Sequence, residues 1–221
     1  RMSAAHATRI VAIRHGETAW NTESRIQGHT DIPLNDMGLW QADRVAHTLR
    51  DDPLQAVYSS DLQRACSTAA AIAQAQHLPL QLEPGLRERH FGQLEGLTHA
   101  EILDRWPEQA RRWRERDPSF GPDGGETLQA FYERCVATLA RLASRHPGGT
   151  IAVVAHGGVL DCFYRAANGI ALDTPRSWKV GNAAINRLLY SPSGFTLVGW
   201  ADDHHLGTTR DESGDGAVRT A

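Results

Sequence analysis

The sequence predicts an α/β fold: a three-layer α/β/α sandwich with a mostly parallel central sheet and a helical and loop insertion capping one end. Three observations predict it. Apolar runs of strand length at residues 10–13, 56–59 and 151–155 alternate with helical patterns. The first and last of these are apolar at consecutive positions, as in strands covered on both faces. Both also run directly into a histidine followed by glycine, His15-Gly16 and His156-Gly157.

The elements follow in order. After the first strand, residues 15–37 are rich in Gly, Asn, Asp, Thr and Pro, and a loop of that length is expected to be functional. Residues 38–50 read as a helix. Residues 56–59 are a short strand, and Asp61 is the expected N-cap of an alanine-rich helix carrying Leu62, Arg64, Ala65, Thr68, Ala69, Ile72 and Ala73. Residues 80–82 are a third strand. Residues 84–125 turn irregular, with short helical pieces opened by Thr98, which Glu101 completes as a capping box, and by Pro107. This stretch is the expected cap over the site. Residues 127–145 form a long amphipathic helix ended by His146-Pro147-Gly148-Gly149, a strand starts at Thr150, and 159–167 resume helix. Residues 184–190, the turn Ser191-Pro192-Ser193-Gly194 and residues 195–200 make a late hairpin. Residues 1–206 thus read as one domain. The polar tail 207–221 holds too little apolar surface to order itself.

With 221 residues, 41% of them hydrophobic, the chain suits one α/β domain with an elaborated insertion rather than two domains. A formal net charge of -3 gives no general attraction for nucleic acid or an anionic membrane, so an anionic partner must meet a local cluster and is expected to be small. Cys66, Cys135 and Cys162 are odd in number, lack a C-x-x-C spacing and fall in helical segments, which favours a reduced, cytoplasmic setting. No apolar run reaches the ~18 residues of a membrane span, and no apolar stretch of signal-peptide length opens the chain. Helix 127–145 and the late hairpin are candidate surfaces for a homo-oligomer.

Ligands of open α/β sheets bind beyond the carboxyl ends of the strands, so His15 and His156 converge although about 140 residues separate them. Arg14 precedes His15, Arg64 lies in the first turn of the helix after another strand, and helix N-termini add backbone N–H groups there. Such a set suits phosphoryl transfer, which needs fixed donors around the equatorial oxygens, an in-line nucleophile and a proton for the leaving oxygen. His15 is assigned as nucleophile, attacking through Nε2 while its other nitrogen donates to a carbonyl that fixes the tautomer. His156 is the electrostatic clamp. Glu88, which opens the cap, is the expected acid because a bound phosphate favours its protonated form, and Glu17 is the alternative.

Two further clusters are read as structural. Arg105, Arg111, Arg112, Arg114 and Arg116 could meet a second acidic group on a substrate. With Glu108, Glu115 and Asp117 interspersed and Trp106 and Trp113 seven apart, they read instead as a solvated helix face over a tryptophan stripe. Asp202-Asp203-His204-His205 holds metal-ligand residue types, but adjacency sends the side chains in different directions, and no metal is expected.

Arg14-His15-Gly16-Glu17-Thr18-Ala19-Trp20-Asn21 resembles the signature of the histidine phosphatase superfamily, which includes cofactor-dependent phosphoglycerate mutases. Arg25-Ile26-Gln27-Gly28 with Asp31-Ile32-Pro33-Leu34, Ser59-Ser60-Asp61-Leu62-Gln63-Arg64-Ala65, Leu86-Arg87-Glu88-Arg89-His90-Phe91-Gly92 and Val154-Ala155-His156-Gly157-Gly158 match family motifs in order. The resemblance implies that His15 is phosphorylated, that Arg14, Arg64 and His156 complete the phosphate pocket, and that Glu88 is the proton donor. It also implies that Thr18, Asn21, Gln27, Gly28 and Gly157 line the pocket and that hydrolysis needs no metal or organic cofactor. Against the mutases, this chain has Gly158 in place of Asn, Phe91 in place of Tyr, and His99 near a lysine position. Gly124-Gly125-Glu126-Thr127 resembles the compact phosphatase branch, so a phosphatase of small phosphorylated metabolites is expected, with a mutase as the alternative and a non-catalytic phosphate-binding module behind both.

Overall fold

The computed structural model describes residues 6–207. Six strands form one sheet: β1 (Thr8–Arg14), β2 (Ala56–Ser59), β3 (Leu80–Leu82), β4 (Thr150–Ala155), β5 (Ile185–Ser191) and β6 (Gly194–Asp202), in the order β3-β2-β4-β1-β5-β6. The first four strands run parallel to one another, and the β5–β6 hairpin adds two strands beside β1, with β5 antiparallel to both β1 and β6. Helices α2 (Asp36–Leu49) and α3 (Gln63–Gln76) cover one face, α6 (Leu128–Ala143) and α7 (Gly157–Asn168) the other. This is the expected α/β/α sandwich.

Burial on both faces explains the uninterrupted apolar runs. Ile10 and Ala12 of β1, with Ile151, Val153 and Ala155 of β4, face α6 and α7. Val11 and Ile13, with Ala152 and Val154, face α2 and α3, where Val45, Leu49, Ala69 and Ile72 close the second core. Each fully buried Leu, Ile or Val there contributes about 1.5–3 kcal/mol over its exposed state.

A third core packs Ile26, from the segment after β1, against Phe91, Leu94, Ile102, Ala110, Trp113 and Phe120 of the cap. The cap is built from α4 (His99–Arg105), which the Thr98–Glu101 capping box opens as expected, and α5 (Pro107–Arg114), with proline in its first turn. Among the described residues no helix is long and apolar enough to cross a membrane.

Three expectations change. Residues 15–37 are not a bare loop but hold α1 (Ala19–Thr22), one turn closed by a Thr18–Asn21 capping box. Asp61 does not cap α3, whose N-cap Leu62 makes no side-chain bond; both Asp61 carboxylate oxygens are held by Arg87, at 2.6 and 2.7 Å. α7 begins at Gly157 rather than 159, with His156 in the N-cap position. The tail expected to be unstructured lies, beyond Gly207, outside the described residues.

Candidate active site

β1 and β4 are neighbours in register, Arg14 opposite Ala155, so the residues that follow them meet. The His15 and His156 ring centroids are 5.2 Å apart, and both rings are fully buried. His15 Nδ1 lies 2.6 Å from the Gly16 carbonyl oxygen. A carbonyl only accepts, so Nδ1 carries the proton and, in the neutral ring, Nε2 carries the lone pair. That is the tautomer a nucleophilic Nε2 requires. His156 Nε2 shares a 2.8 Å hydrogen bond with Ser60 Oγ, at the end of β2.

Two arginines are fixed beside the histidines by backbone oxygens. Arg14 donates from Nη1 to Val180 O at 2.7 Å, and its guanidinium lies 3.3 Å from where a Cβ on Gly157 would stand, so glycine there permits the approach. Arg64, in the first turn of α3, donates to Gly28 O at 2.8 Å and Thr30 O at 2.9 Å. Thr68, one turn later, accepts from Gly16 N at 3.0 Å and ties that helix to the His15 loop.

The residues 18–28 add amide donors. Thr18 Oγ1 donates to Gln27 Oε1 at 2.8 Å, and Asn21 Oδ1 accepts from Thr18 N at 3.0 Å. With their oxygens thus engaged, the Asn21 Nδ2 and Gln27 Nε2 groups are buried without a protein acceptor. Burying an N–H donor unsatisfied is unfavourable, and an anion's oxygens would satisfy both. Gly16 and Gly38 let the loop touch the start of α2: a Cβ on Gly38 would stand 2.1 Å from Glu17 O.

Glu88 is fully buried and reaches α7. Its carboxylate accepts from Gly158 N at 3.0 Å and from Arg89 N at 2.9 Å. A Cβ on Gly158 would lie 2.3 Å from Glu88 Oε1, so the carboxylate occupies the space that a side chain at 158 would take. Glu17 is buried too, but its carboxylate accepts from Asn35 Nδ2 at 3.0 Å, at the N-cap of α2.

The structure thus brings Arg14, His15, Thr18, Asn21, Gln27, Gly28, Arg64, Glu88, His156 and Gly157 into one connected, buried set. Sequence reasoning missed three supports. Asn182, just before β5, donates to His15 O at 3.1 Å, and no periodicity or motif marks it. Ser60 lay inside a quoted motif without a role. Arg134 of α6 donates to the carbonyls of Gly85, Arg87 and Glu88 and pairs with Glu126, clamping the Glu88 segment. His29 also approaches the Glu88 carbonyl, at 2.9 Å from Nε2. Burial, aided by the stacked His90 ring, lowers the His29 pKa, so the ring is neutral near pH 7 and donates that bond.

The arginine run falls mostly as expected. Arg111 pairs with Glu108 and Glu115, and Arg112 with Asp117, at the surface, while Trp113 is buried. Arg116 departs from them: it is turned inward onto Asp161 of α7. His204 pairs with Asp202, His205 bonds Ala183 O, and no group of three metal-ligating side chains occurs among the described residues.

Residues 10–203 match the histidine phosphatase superfamily (branch 1). The chain is 40% identical over 217 residues to phosphoglycerate mutase-like protein 4 of Arabidopsis thaliana, covering 96% of this chain and 93% of that protein. It is 37% identical over 202 residues to the metal-independent phosphoserine phosphatase of the same plant, covering 90% of this chain and 83% of the relative. Among solved structures, Bacillus stearothermophilus YhfR superposes with a TM-score of 0.83 at 30% identity, over 90% of this chain and 99% of that one. The chain belongs to the histidine phosphatase superfamily.

Proposed function

We propose that the protein is a phosphatase of small phosphorylated metabolites working through a phosphohistidine on His15. The observation that carries this reading is the His15 Nδ1–Gly16 O bond, which leaves the lone pair on Nε2 amid buried cations. In this reading His15 Nε2 attacks phosphorus, the bond from phosphorus to the ester oxygen breaks, and Glu88 gives its proton to the departing oxygen. Arg14, Arg64 and His156, with Thr18, Asn21, Gln27 and the Gly28 and Gly157 backbone, hold the phosphoryl oxygens as charge shifts onto them. Water then attacks the phosphohistidine, Glu88 takes its proton, the N–P bond breaks and phosphate leaves.

Hydrolysis rather than mutase chemistry is supported by Gly158, which has no side chain to make the polar contact to a phosphoglycerate that the asparagine of the mutases would supply. We further read residues 1–206 as one catalytic domain with 84–125 as its cap. Free Cys66, Cys135 and Cys162 fit a cytoplasmic, reducing setting.

Phosphate release from p-nitrophenyl phosphate, sugar phosphates and phosphoglycerates, with a His15→Ala control and a parallel mutase assay primed by 2,3-bisphosphoglycerate, tests the proposal. Release that disappears in the control supports it. Primed interconversion of phosphoglycerates with little release would make the protein a mutase.

A further inference from the structure

Residues 28–30 touch both halves of the site. On one side the carbonyls of Gly28 and Thr30 accept from the two terminal nitrogens of Arg64, at 2.8 and 2.9 Å. On the other, the His29 ring reaches the backbone of Glu88: a carbonyl only accepts, so His29 Nε2 donates to Glu88 O at 2.9 Å. This short turn therefore holds a cation of the phosphate pocket with its main chain and the proposed acid's main chain with its side chain. Asp31 anchors the turn to the start of α3, its carboxylate accepting from Gln63 N at 2.8 Å and its carbonyl from Gln63 Nε2 at 3.0 Å.

Glu95, in the cap, braces the same turn. Its Oε2 accepts from His29 N at 3.2 Å and Phe91 N at 3.0 Å, and its Oε1 from Thr30 Oγ1 at 2.7 Å. Gly28 stands at φ +54, and a Cβ there would lie 2.5 Å from Glu95 Oε2, so glycine admits the carboxylate. The His90 ring stacks on His29, with centroids 4.3 Å apart and 22° between the planes, which fixes the direction of Nε2. Arg134 also donates to Glu88 O, at 3.2 Å, but spreads over the carbonyls of Gly85 and Arg87 as well. It holds the whole segment, whereas His29 reaches Glu88 from the phosphate-pocket side. Backbone bonds from Gly96 N to Ile26 O at 2.7 Å and from Ile26 N to Leu97 O at 3.0 Å join the two segments independently of His29, so the fold does not depend on its ring.

We propose that residues 28–30 link the phosphate pocket to the acid, with His29 and Glu95 as positioning residues for Glu88. An anion that draws on Arg64 draws on the two carbonyls that hold it, and through the turn fixes where Glu88 stands. This rests on the phosphatase reading above, which gives Arg64 and Glu88 their roles. His29 acts through Glu88, so its removal is felt where protonation of the leaving oxygen limits the rate and little elsewhere. A misplacement on the order of 1 Å at such a group costs up to about 10²-fold.

The test is a double-mutant cycle read as the ratio of kcat/KM for p-nitrophenyl phosphate to that for glycerol 3-phosphate. His29→Ala should raise this ratio by about 10- to 100-fold. In the Glu88→Gln background the same change should move it by less than about 2-fold, because the route through the acid is already gone. His29→Gln, whose amide still donates, should recover part of the wild-type ratio. Glu95→Ala should raise the ratio, and Glu95→Gln should keep most of it, since the Thr30 hydroxyl can accept from an amide as well as donate to a carboxylate. Equal slowing of both phosphates by His29→Ala, or a full further loss in the Glu88→Gln protein, would overturn the link and leave His29 a packing residue. Hydrogen exchange reads the link without turnover. Inorganic phosphate should slow exchange in residues 86–95 more in the wild type than in His29→Ala, and equal protection would overturn the proposal. A wild type that releases no phosphate yet shows this difference would keep the link and remove the phosphatase reading. His15-dependent release with unchanged ratios and equal protection would do the reverse.

Discussion

In the proposed mechanism, histidine, glutamate and glycine at single positions decide the chemistry. The His15 ring is oriented by its own neighbour's carbonyl, and the Glu88 carboxylate by two backbone N–H groups. Both positions were readable in the sequence as candidates, because a strand ending in Arg-His-Gly and a glutamate opening an insertion are local signals. Asn182, Ser60 and Arg134 were not, since each acts through a contact made only by the fold. Arg116 was misjudged for the same reason: grouped with its neighbours it looks solvated, whereas its partners Asp161 and Leu172 come much later in the chain. At this scale Glu88→Gln is expected to slow an alkyl phosphate by about 10²–10⁴-fold, the range of general acid catalysis, and p-nitrophenyl phosphate far less. A loss of equal size on the two, measured as kcat/KM, would count against Glu88 as the acid.

Helices and strands were legible where capping and apolar pattern are local. The Thr98–Glu101 box was read in advance and is present in full. Thr98→Ala is therefore expected to cost about 0.5–2 kcal/mol of stability in urea melts. α1 was missed because a single turn has no periodicity to detect, although Thr18 and Asn21 carry its cap. Asp61 was given to α3 on local grounds and was claimed instead by Arg87, a partner 26 residues away. Burial would raise the Asp161 pKa, but Arg176, Arg116 and Arg165 outweigh it and hold the group below its ordinary value. A depressed folded pKa adds stability above the unfolded value of about 4, and that stability is lost as pH falls through the folded value. Asp161→Asn should destabilise the protein near neutral pH by about 3–5 kcal/mol, the cost of breaking a buried pair, and flatten the loss of stability below pH 4. Equal acid slopes in the two proteins would show that Asp161 does not govern it.

The molecule as a whole places two strand ends side by side and closes them with a cap that shares a third core with the segment after β1. The sandwich was foreseeable because runs buried on both faces, alternating with helices, have few other solutions. The cap's inner face was not, because an insertion with no repeated pattern reveals which residues point inward only once it is packed. The central claim is that His15, and not His156, carries the phosphoryl group between two half-reactions. The most direct measurement is mass spectrometry of the protein stopped in base during turnover of p-nitrophenyl phosphate. A phosphoryl group on the peptide that holds His15, absent from the His15→Ala protein, is the expected result. A phosphoryl group on His156, or turnover that persists in His15→Ala, would contradict it.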